Sequence, residues 1–271
     1  MPGGSPSPPY EASRGSQDAP AVVLRDAGLS YGGAVLFERL ELTLAPGRTT
    51  CLLGPSGIGK TSLLRLIAGL AEEVSGTASD QRGRPLAGRI AYMAQQDLLL
   101  PWLGLLDNVL LGPRLRGEAR DPVLIARARA LVAEVGLTAE AGRRPAQLSG
   151  GMRQRAALAR TLLEDRPVVL MDEPFASLDA ITRFALQGLA ARLLQGRTVL
   201  LVTHDPLEAL RLGHAVLVMR GRPARLEAPL EPSGAPPRDP AEPALLHMQG
   251  ELLRRLTAAR NDEPAPRQVG P

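Results

Sequence analysis

Lysine is nearly missing from this 271-residue chain: of thirty-two lysine plus arginine residues, Lys60 alone is a lysine. Cysteine is just as scarce, with Cys51 the single example. No disulfide can therefore form within the chain, which excludes a disulfide-stapled secreted scaffold. The place of Cys51 in the apolar run "TTCLL" (49–53) reads as that of an inert core residue. Aromatic residues amount to 3% against 44% hydrophobic overall. The core must then be built from Leu, Val, Ile and Ala, and little aromatic surface is left for stacking single-stranded nucleic acid, so no nucleic-acid partner is expected. No apolar run reaches the eighteen or so residues of a membrane-spanning helix. The richest, "LLLPWLGLLDNVLLG" (98–112), is interrupted by Pro101, Asp107 and Asn108. The N-terminus also lacks the hydrophobic region of a signal peptide, and the expectation is a protein made and kept inside the cell.

Proline and glycine, by contrast, are plentiful, and they divide the chain. Residues 1–20, "MPGGSPSPPYEASRGSQDAP", read as a disordered tail. From 21 to 227 the pattern is that of one α/β domain, a size able to bury a sizeable core. Short alternating segments ("AVVLRDAGLSYG", "LFERLELTLAPGRTTCLLG", "GTASDQRGRPLAGRIAYMAQ") predict an antiparallel sheet beside a nucleotide-binding core. A helical insertion follows over about 97–163. Then "RPVVLMDE", "DAITRFALQGLAARLL", "RTVLLVTHD", "PLEALRLG" and "AVLVMR" alternate strand and helix, the pattern of a parallel sheet covered on both faces. Residues 228–271 read as a Pro-rich linker, an amphipathic helix carrying leucines at 245, 246, 252, 253 and 256, and a tail. The net charge of +4 permits contact with phosphates or an acidic membrane surface without requiring either.

The lone lysine has a specific setting. Gly54, Gly59, Lys60 and Thr61 in "GPSGIGKTS" fit G-x-x-x-x-G-K-[ST], the loop whose backbone N–H groups surround phosphates while the lysine reaches the β- and γ-oxygens. A compact ammonium on a thin stem enters such a loop, whereas a planar guanidinium is too wide. A buried strand precedes the loop, and the helix predicted for "KTSLLRLIAGL" would point its N-terminus at the anion. Further along, "VVLMDEP" (168–174) is an apolar strand ending in two carboxylates. Buried acids need a partner, and Mg²⁺ is the evident one: Asp172 with the hydroxyl of Thr61 would hold it, while Glu173 turns to orient an attacking water. "LSGGMRQRAALARTLLE" (148–164) sets a serine and two glycines before a helix, a second anion-binding helix start, with Arg153, Arg155 and Arg160 expected largely on its surface.

With this last motif, in order with "GPSGIGKT" and "LMDEP", the chain over about 21–227 resembles the ATP-binding cassette ATPases of membrane transporters. Their signature reads LSGGQ, where this chain has Met152. The resemblance implies a phosphate-loop α/β core with an antiparallel subdomain and an inserted helical subdomain. It also implies ATP and Mg²⁺ as ligands, the nucleotide being held by Gly54, Pro55, Ser56, Gly57, Ile58, Gly59, Lys60, Thr61 and Ser62. Tyr31 in "LSYGG" matches the aromatic that stacks on adenine, Gln95 the glutamine that senses Mg²⁺ and the attacking water, and His204 in "LVTHD" the switch histidine at the γ-phosphate. Asp179 in "SLD" looks like part of the loop joining two active sites, while His214 and His247 have no such setting. In the family Ser149, Gly150 and Gly151 close over a partner's nucleotide, so a homodimer is implied. "LLPWLGLLDNVLLGPRLRG" resembles importers of nitrate, sulfonate, taurine and the pyrimidine precursor of thiamine. That implies permease subunits, a periplasmic solute-binding protein and a place at the cytoplasmic face of the inner membrane. The face around Leu99, Leu100, Trp102 and Leu103 reads either as a groove for a permease helix or as subdomain core. A soluble ATPase of the same fold, an exporter subunit and a small-molecule kinase are the competing readings. The signature helix and the histidine loop argue against the kinase.

Overall fold

The computed structural model describes residues 19–262 apart from 32–33, 73 and 119–120. The tail expected at 1–20 thus falls outside the described residues up to position 18. The chain runs through β1 (Val22–Tyr31), β2 (Ala34–Leu44), β3 (Thr49–Leu53), α1 (Lys60–Ile67), β4 (Val74–Asp80) and β5 (Ile90–Met93). The helices α2 (Leu105–Val109), α3 (Leu111–Leu115), α4 (Pro122–Glu134) and α5 (Gly150–Leu163) come next. Alternation then resumes with β6 (Val168–Asp172), α6 (Ala180–Leu193), β7 (Thr198–Val202), α7 (Pro206–Leu212), β8 (Ala215–Arg220), β9 (Arg225–Leu226) and α8 (Pro243–Asn261).

Two sheets result. The first is antiparallel, in the order β2-β1-β4. The second has the order β5-β6-β7-β3-β8-β9, parallel throughout except for β9, which returns antiparallel along β8. Two of the segments read as antiparallel therefore divide between the sheets. "LFERLELTLAPGRTTCLLG" turns at Gly47 (φ 67°) into β3, and "GTASDQRGRPLAGRIAYMAQ" ends in β5 on the parallel edge.

The parallel strands are apolar on both faces because both faces are covered. Cys51 and Leu53 of β3 face the α5 to α8 side with Val169, Met171, Val199 and Leu201. Leu52 faces the other side with Leu170, Leu200, the α1 leucines and the antiparallel sheet. Burial pushes the Cys51 thiol well above its ordinary value, in keeping with an inert core residue.

The helical insertion begins with an extended stretch, and its first helix starts at Leu105. That stretch is organised by Asn108, which is fully buried. Its Oδ1 accepts from the Leu100 amide at 2.7 Å, and its Nδ2 donates to the carbonyls of Leu100, Leu103 and Gly104 at 3.2 Å. An interruption in the apolar pattern is thus what shapes the loop. On α8 the buried positions are Leu245, Leu252 and Ala259, seven residues apart, while Leu246 and Leu253 face outward. Ahead of that helix Arg238, 4% exposed, donates to the carbonyls of Leu210, Gly213, Pro232, Ser233 and Gly234, clamping the linker onto the end of α7.

Candidate active site

Parallel strands put all their carboxyl ends on one edge of the sheet, where binding residues of α/β folds collect. At that edge the loop after β3 curls around its own lysine. Lys60 Nζ donates to the carbonyl oxygens of Gly54 at 2.8 Å and Pro55 at 2.7 Å. Gly54 sits at φ 152°, and a Cβ there would lie 2.6 Å from the Met219 carbonyl oxygen, so the close approach to β8 requires glycine. Gly59, at φ 111°, precedes α1, whose start has no side-chain cap and no acidic residue in its first turn. Those first-turn N–H groups, with the positive end of the helix dipole, offer an anion site that no side chain of the helix occupies. Ile58 is buried beneath the loop and Ser62 lies in the first turn of α1.

Two strands away β6 ends in Asp172, 2% exposed, whose Oδ2 accepts from Thr61 Oγ1 at 2.7 Å. Burial pushes the Asp172 carboxyl up, a shift that the Thr61 hydrogen bond and the Lys60 charge oppose. Glu173 follows at φ 49°, a left-handed conformation that costs a non-glycine residue on the order of 1 kcal/mol. This kink turns its side chain from the strand register toward its neighbours. Gln95, two residues beyond β5, donates from Nε2 to Glu173 Oε2 at 3.3 Å. His204, two residues beyond β7, brings Nδ1 to the same oxygen at 3.4 Å. Because β5, β6 and β7 are adjacent and parallel, residues far apart in sequence meet here. Chemically, a carboxylate held between an amide and an imidazole, next to a second carboxylate and an anion cradle, can take a proton from water aimed at a phosphate.

A further residue holds the kink. Gln154 on α5, 6% exposed, donates to the Glu173 carbonyl at 2.8 Å and accepts from the Ser177 amide at 2.8 Å. It joins the helix of the LSGG motif to both Glu173 and the "SLD" loop. Sequence reading passed over it, although a glutamine on the buried stripe of α5 with Ala157, Leu158 and Thr161 is the available signal. The three arginines expected on the α5 surface are also engaged. Arg153 pairs with Asp97 at 2.9 Å, Arg155 donates to the Val135 carbonyl at 2.9 Å, and Arg160 donates to the carbonyls of Asp97 and Leu98. Arg153 and Arg160 tie α5 to the segment after Gln95, and Arg155 ties it to the end of α4.

Ser149 caps α5, accepting from the Met152 amide at 3.2 Å, and Asp179 caps α6, accepting from Thr182 at 3.0 Å. Those hydrogen bonds hold the Asp179 carboxyl below its ordinary value. Gly151 abuts the Leu178 side chain and the Ser177 carbonyl, and Gly150 lines a cavity of about 430 Å³ with Gln95, Gln154 and Ser177. Gly54, Pro55 and Ser56 line a separate cavity of about 520 Å³ with His204. The LSGG glycine and the phosphate loop thus line different cavities. Tyr31 ends β1, but its side chain lies outside the described residues. His214, read as ordinary, accepts from the Thr49 amide at 3.0 Å, and burial lowers its pKa. Among the described residues no helix is long and apolar enough to cross a membrane.

Residues 37–176 match the family described as ABC transporter. The chain is 42% identical over 238 residues to an uncharacterized ABC transporter ATP-binding protein of Haemophilus influenzae, covering 87% of this chain and 98% of the relative. It is 44% identical over 242 residues to the aliphatic sulfonates import ATP-binding protein SsuB of Delftia acidovorans, covering 88% and 95%. Among solved structures, a dimeric ATP-binding cassette in a post-hydrolysis state bound to ADP and Pi superposes with a TM-score of 0.69 at 28% identity, covering 79% of this chain and 99% of that one.

The raised Asp172 carboxyl has a measurable consequence. A carboxyl whose folded pKa is raised stabilises the fold below its unfolded value and loses that contribution as the pH climbs through the folded value, so ionised Asp172 weakens the ligand-free fold at neutral pH. Asp172→Asn keeps an acceptor for Thr61, and it is expected to raise the thermal unfolding midpoint at about pH 7 and to lose that advantage toward about pH 4. Unfolding curves across that range, recorded without nucleotide, check it.

Proposed function

Since this chain is a member of the ABC transporter family, we propose that it is the ATP-hydrolysing subunit of an importer for a small polar solute of the nitrate, sulfonate, taurine or pyrimidine-precursor kind. The relatives named for aliphatic sulfonate import support that solute class. The observation that carries the catalytic reading is the Glu173 carboxylate, one residue beyond Asp172, held between Gln95 and His204 at 3.3 and 3.4 Å.

In this reading the backbone amides of residues 54–62 and the Lys60 ammonium bind the β- and γ-phosphates of ATP, and the side chain of Tyr31 stacks on the adenine. Thr61, Asp172 and Gln95 would hold the Mg²⁺ ion. The donor set fits: two hard oxygens meet at 2.7 Å beside the loop. One carboxylate plus a hydroxyl, completed by phosphate oxygens and water, is the usual environment of magnesium. When bound, the ion neutralises charge on the β- and γ-oxygens. Glu173 takes the proton of the attacking water as its oxygen bonds to the γ-phosphorus and the bond to ADP breaks. Gln95 and His204 keep the carboxylate and the water in line, and Gln154 keeps the Glu173 peptide in its kink.

The dimeric cassettes among the similar solved structures, and the opening of Gly150 onto a different cavity from that of the phosphate loop, support a dimer in which Ser149, Gly150 and Gly151 complete the partner's site, with Asp179 between the two. Trp102, 65% exposed, and Leu103 line a groove of about 470 Å³ with Leu106, Asp107 and Gly142. This groove is the proposed seat of a permease helix on the cytoplasmic face of the inner membrane, with a periplasmic binding protein delivering solute from the other side. Leu99 belongs to the core behind it, being 8% exposed, and so is no part of the groove.

Glu173→Gln is expected to keep ATP binding and slow hydrolysis by roughly 10²- to 10⁴-fold, since the cradle survives while the water loses its base. Single-turnover kinetics on protein freed of contaminating ATPase check this, and a wild-type rate would remove the assignment. Gln154→Leu should lower kcat by about tenfold or more with KM for ATP nearly unchanged, because loosening the Glu173 peptide misplaces the base but leaves the cradle. A matching loss in both parameters would instead make Gln154 a general stabiliser. Mixing inactive Lys60→Ala and Ser149→Arg chains should restore part of the activity, since one composite site in the mixed dimer is intact. A mixture that stays dead although each variant dimerises would argue that each chain works with its own LSGG motif.

A further inference from the structure

We propose that Arg260, in the last turn of α8, is an additional contact for the terminal phosphate of bound ATP, so that the C-terminal helix forms one wall of the nucleotide site. The inference rests on the phosphate-loop reading above. The cavity of about 520 Å³ at the loop is lined by Gly54, Pro55 and Ser56 of the loop, by His204, and by Leu256 and Arg260 of α8. His204 shares in this cavity and also touches Glu173. The cavity therefore adjoins the place where a phosphate must sit if Glu173 is to aim water at it.

The helix that presents Arg260 is held in place. Leu252 and Ala259 are fully buried, and Arg220 at the end of β8 ties down Asp262 with two contacts of 2.7 and 2.6 Å. Arg255 is occupied as well, by the Ala228 carbonyl at 2.9 Å and by Glu251 at 2.6 Å. Arg260 differs from both: its guanidinium is exposed and makes no hydrogen bond or ion pair among the described residues. Asp262, the acid two residues on, is already taken by Arg220. A cation in the last turn offsets the negative end of a helix, but that alone needs no particular direction. Here the side chain lines the same cavity as the loop that reads as the phosphate cradle, and its planar fork suits phosphate oxygens.

The test is equilibrium binding of ATP and ADP to the full chain at low protein concentration, for wild type, Arg260→Ala, Arg260→Lys and Lys60→Ala. Arg260→Ala should unfold at the wild-type temperature and bind ATP about three- to tenfold more weakly, with ADP affected less than about twofold, and the difference should shrink as salt rises. Arg260→Lys should recover part of the loss. Unchanged affinity for ATP overturns the proposal, as does an equal loss for ATP and ADP. Unchanged affinity with an altered dependence of ATPase activity on protein concentration also overturns it and assigns Arg260 to the contact between chains. ATP binding that survives Lys60→Ala overturns the phosphate-loop reading itself, and Arg260 with it.

Discussion

A parallel sheet buried on both faces leaves polar chemistry only one place to emerge, the edge where the strands end. The five parallel strands are lined by aliphatic residues from two separate clusters, one against α5 to α8 and the other against α1 and the antiparallel sheet. Charged groups could enter those strands only at prohibitive desolvation cost. Gly54, Gln95, Asp172, Glu173 and His204 therefore collect beyond the carboxyl ends of β3, β5, β6 and β7, and the strand order β5-β6-β7-β3 sets which of them are neighbours.

The same edge stores strain and charge. Asp172 is buried where its ionised form is disfavoured, and Glu173 occupies a left-handed conformation that only surrounding structure can impose. The Val202 carbonyl accepts from the Glu173 amide at 2.9 Å, and Gln154 holds its carbonyl. The Glu173 peptide is thus clamped from β7 on one side and from α5 on the other. Because α5 also carries the LSGG motif and is tied through Arg153 and Arg160 to the residues after Gln95, a movement of the helical insertion cannot leave Glu173 untouched. These ties form a physical link between the helical insertion, which carries the groove at Trp102 and Leu103 proposed for a permease helix, and the residues proposed for hydrolysis.

The C-terminal segment belongs to the same construction. Arg238 satisfies two carbonyls at the end of α7, the helix that begins two residues after His204, and three in the linker, and α8 then brings Leu256 and Arg260 to the cavity at the phosphate loop. A guanidinium saturated in this way acts as a pin, since withdrawing it would leave several buried acceptors without donors. The linker's prolines alone would not predict an ordered path.

What the sequence alone determined was whatever local rules specify. The lone Lys60 among its glycines, the apolar run closing on Asp172 and Glu173, and Ser149 ahead of α5 each carry their geometry in consecutive residues. Loop, strand end and helix cap could therefore be read directly, and the α/β alternation with them. The tertiary structure decided everything that depends on strand order and on side chains meeting across it. Nothing local places β5 on the parallel edge, and without that placement Gln95 has no reason to face Glu173. Arg153, Arg155 and Arg160 look like a solvated face until Asp97 and the Val135 carbonyl are brought to them. Asn108 reads as a break in an apolar run and Gln154 carries no signal of its own, whereas burial makes them the hydrogen-bonding centres of a loop and of the site. Such residues gain their roles from partners tens of positions away, because an unsatisfied buried polar group is too costly to persist and only the fold says where its partner comes from.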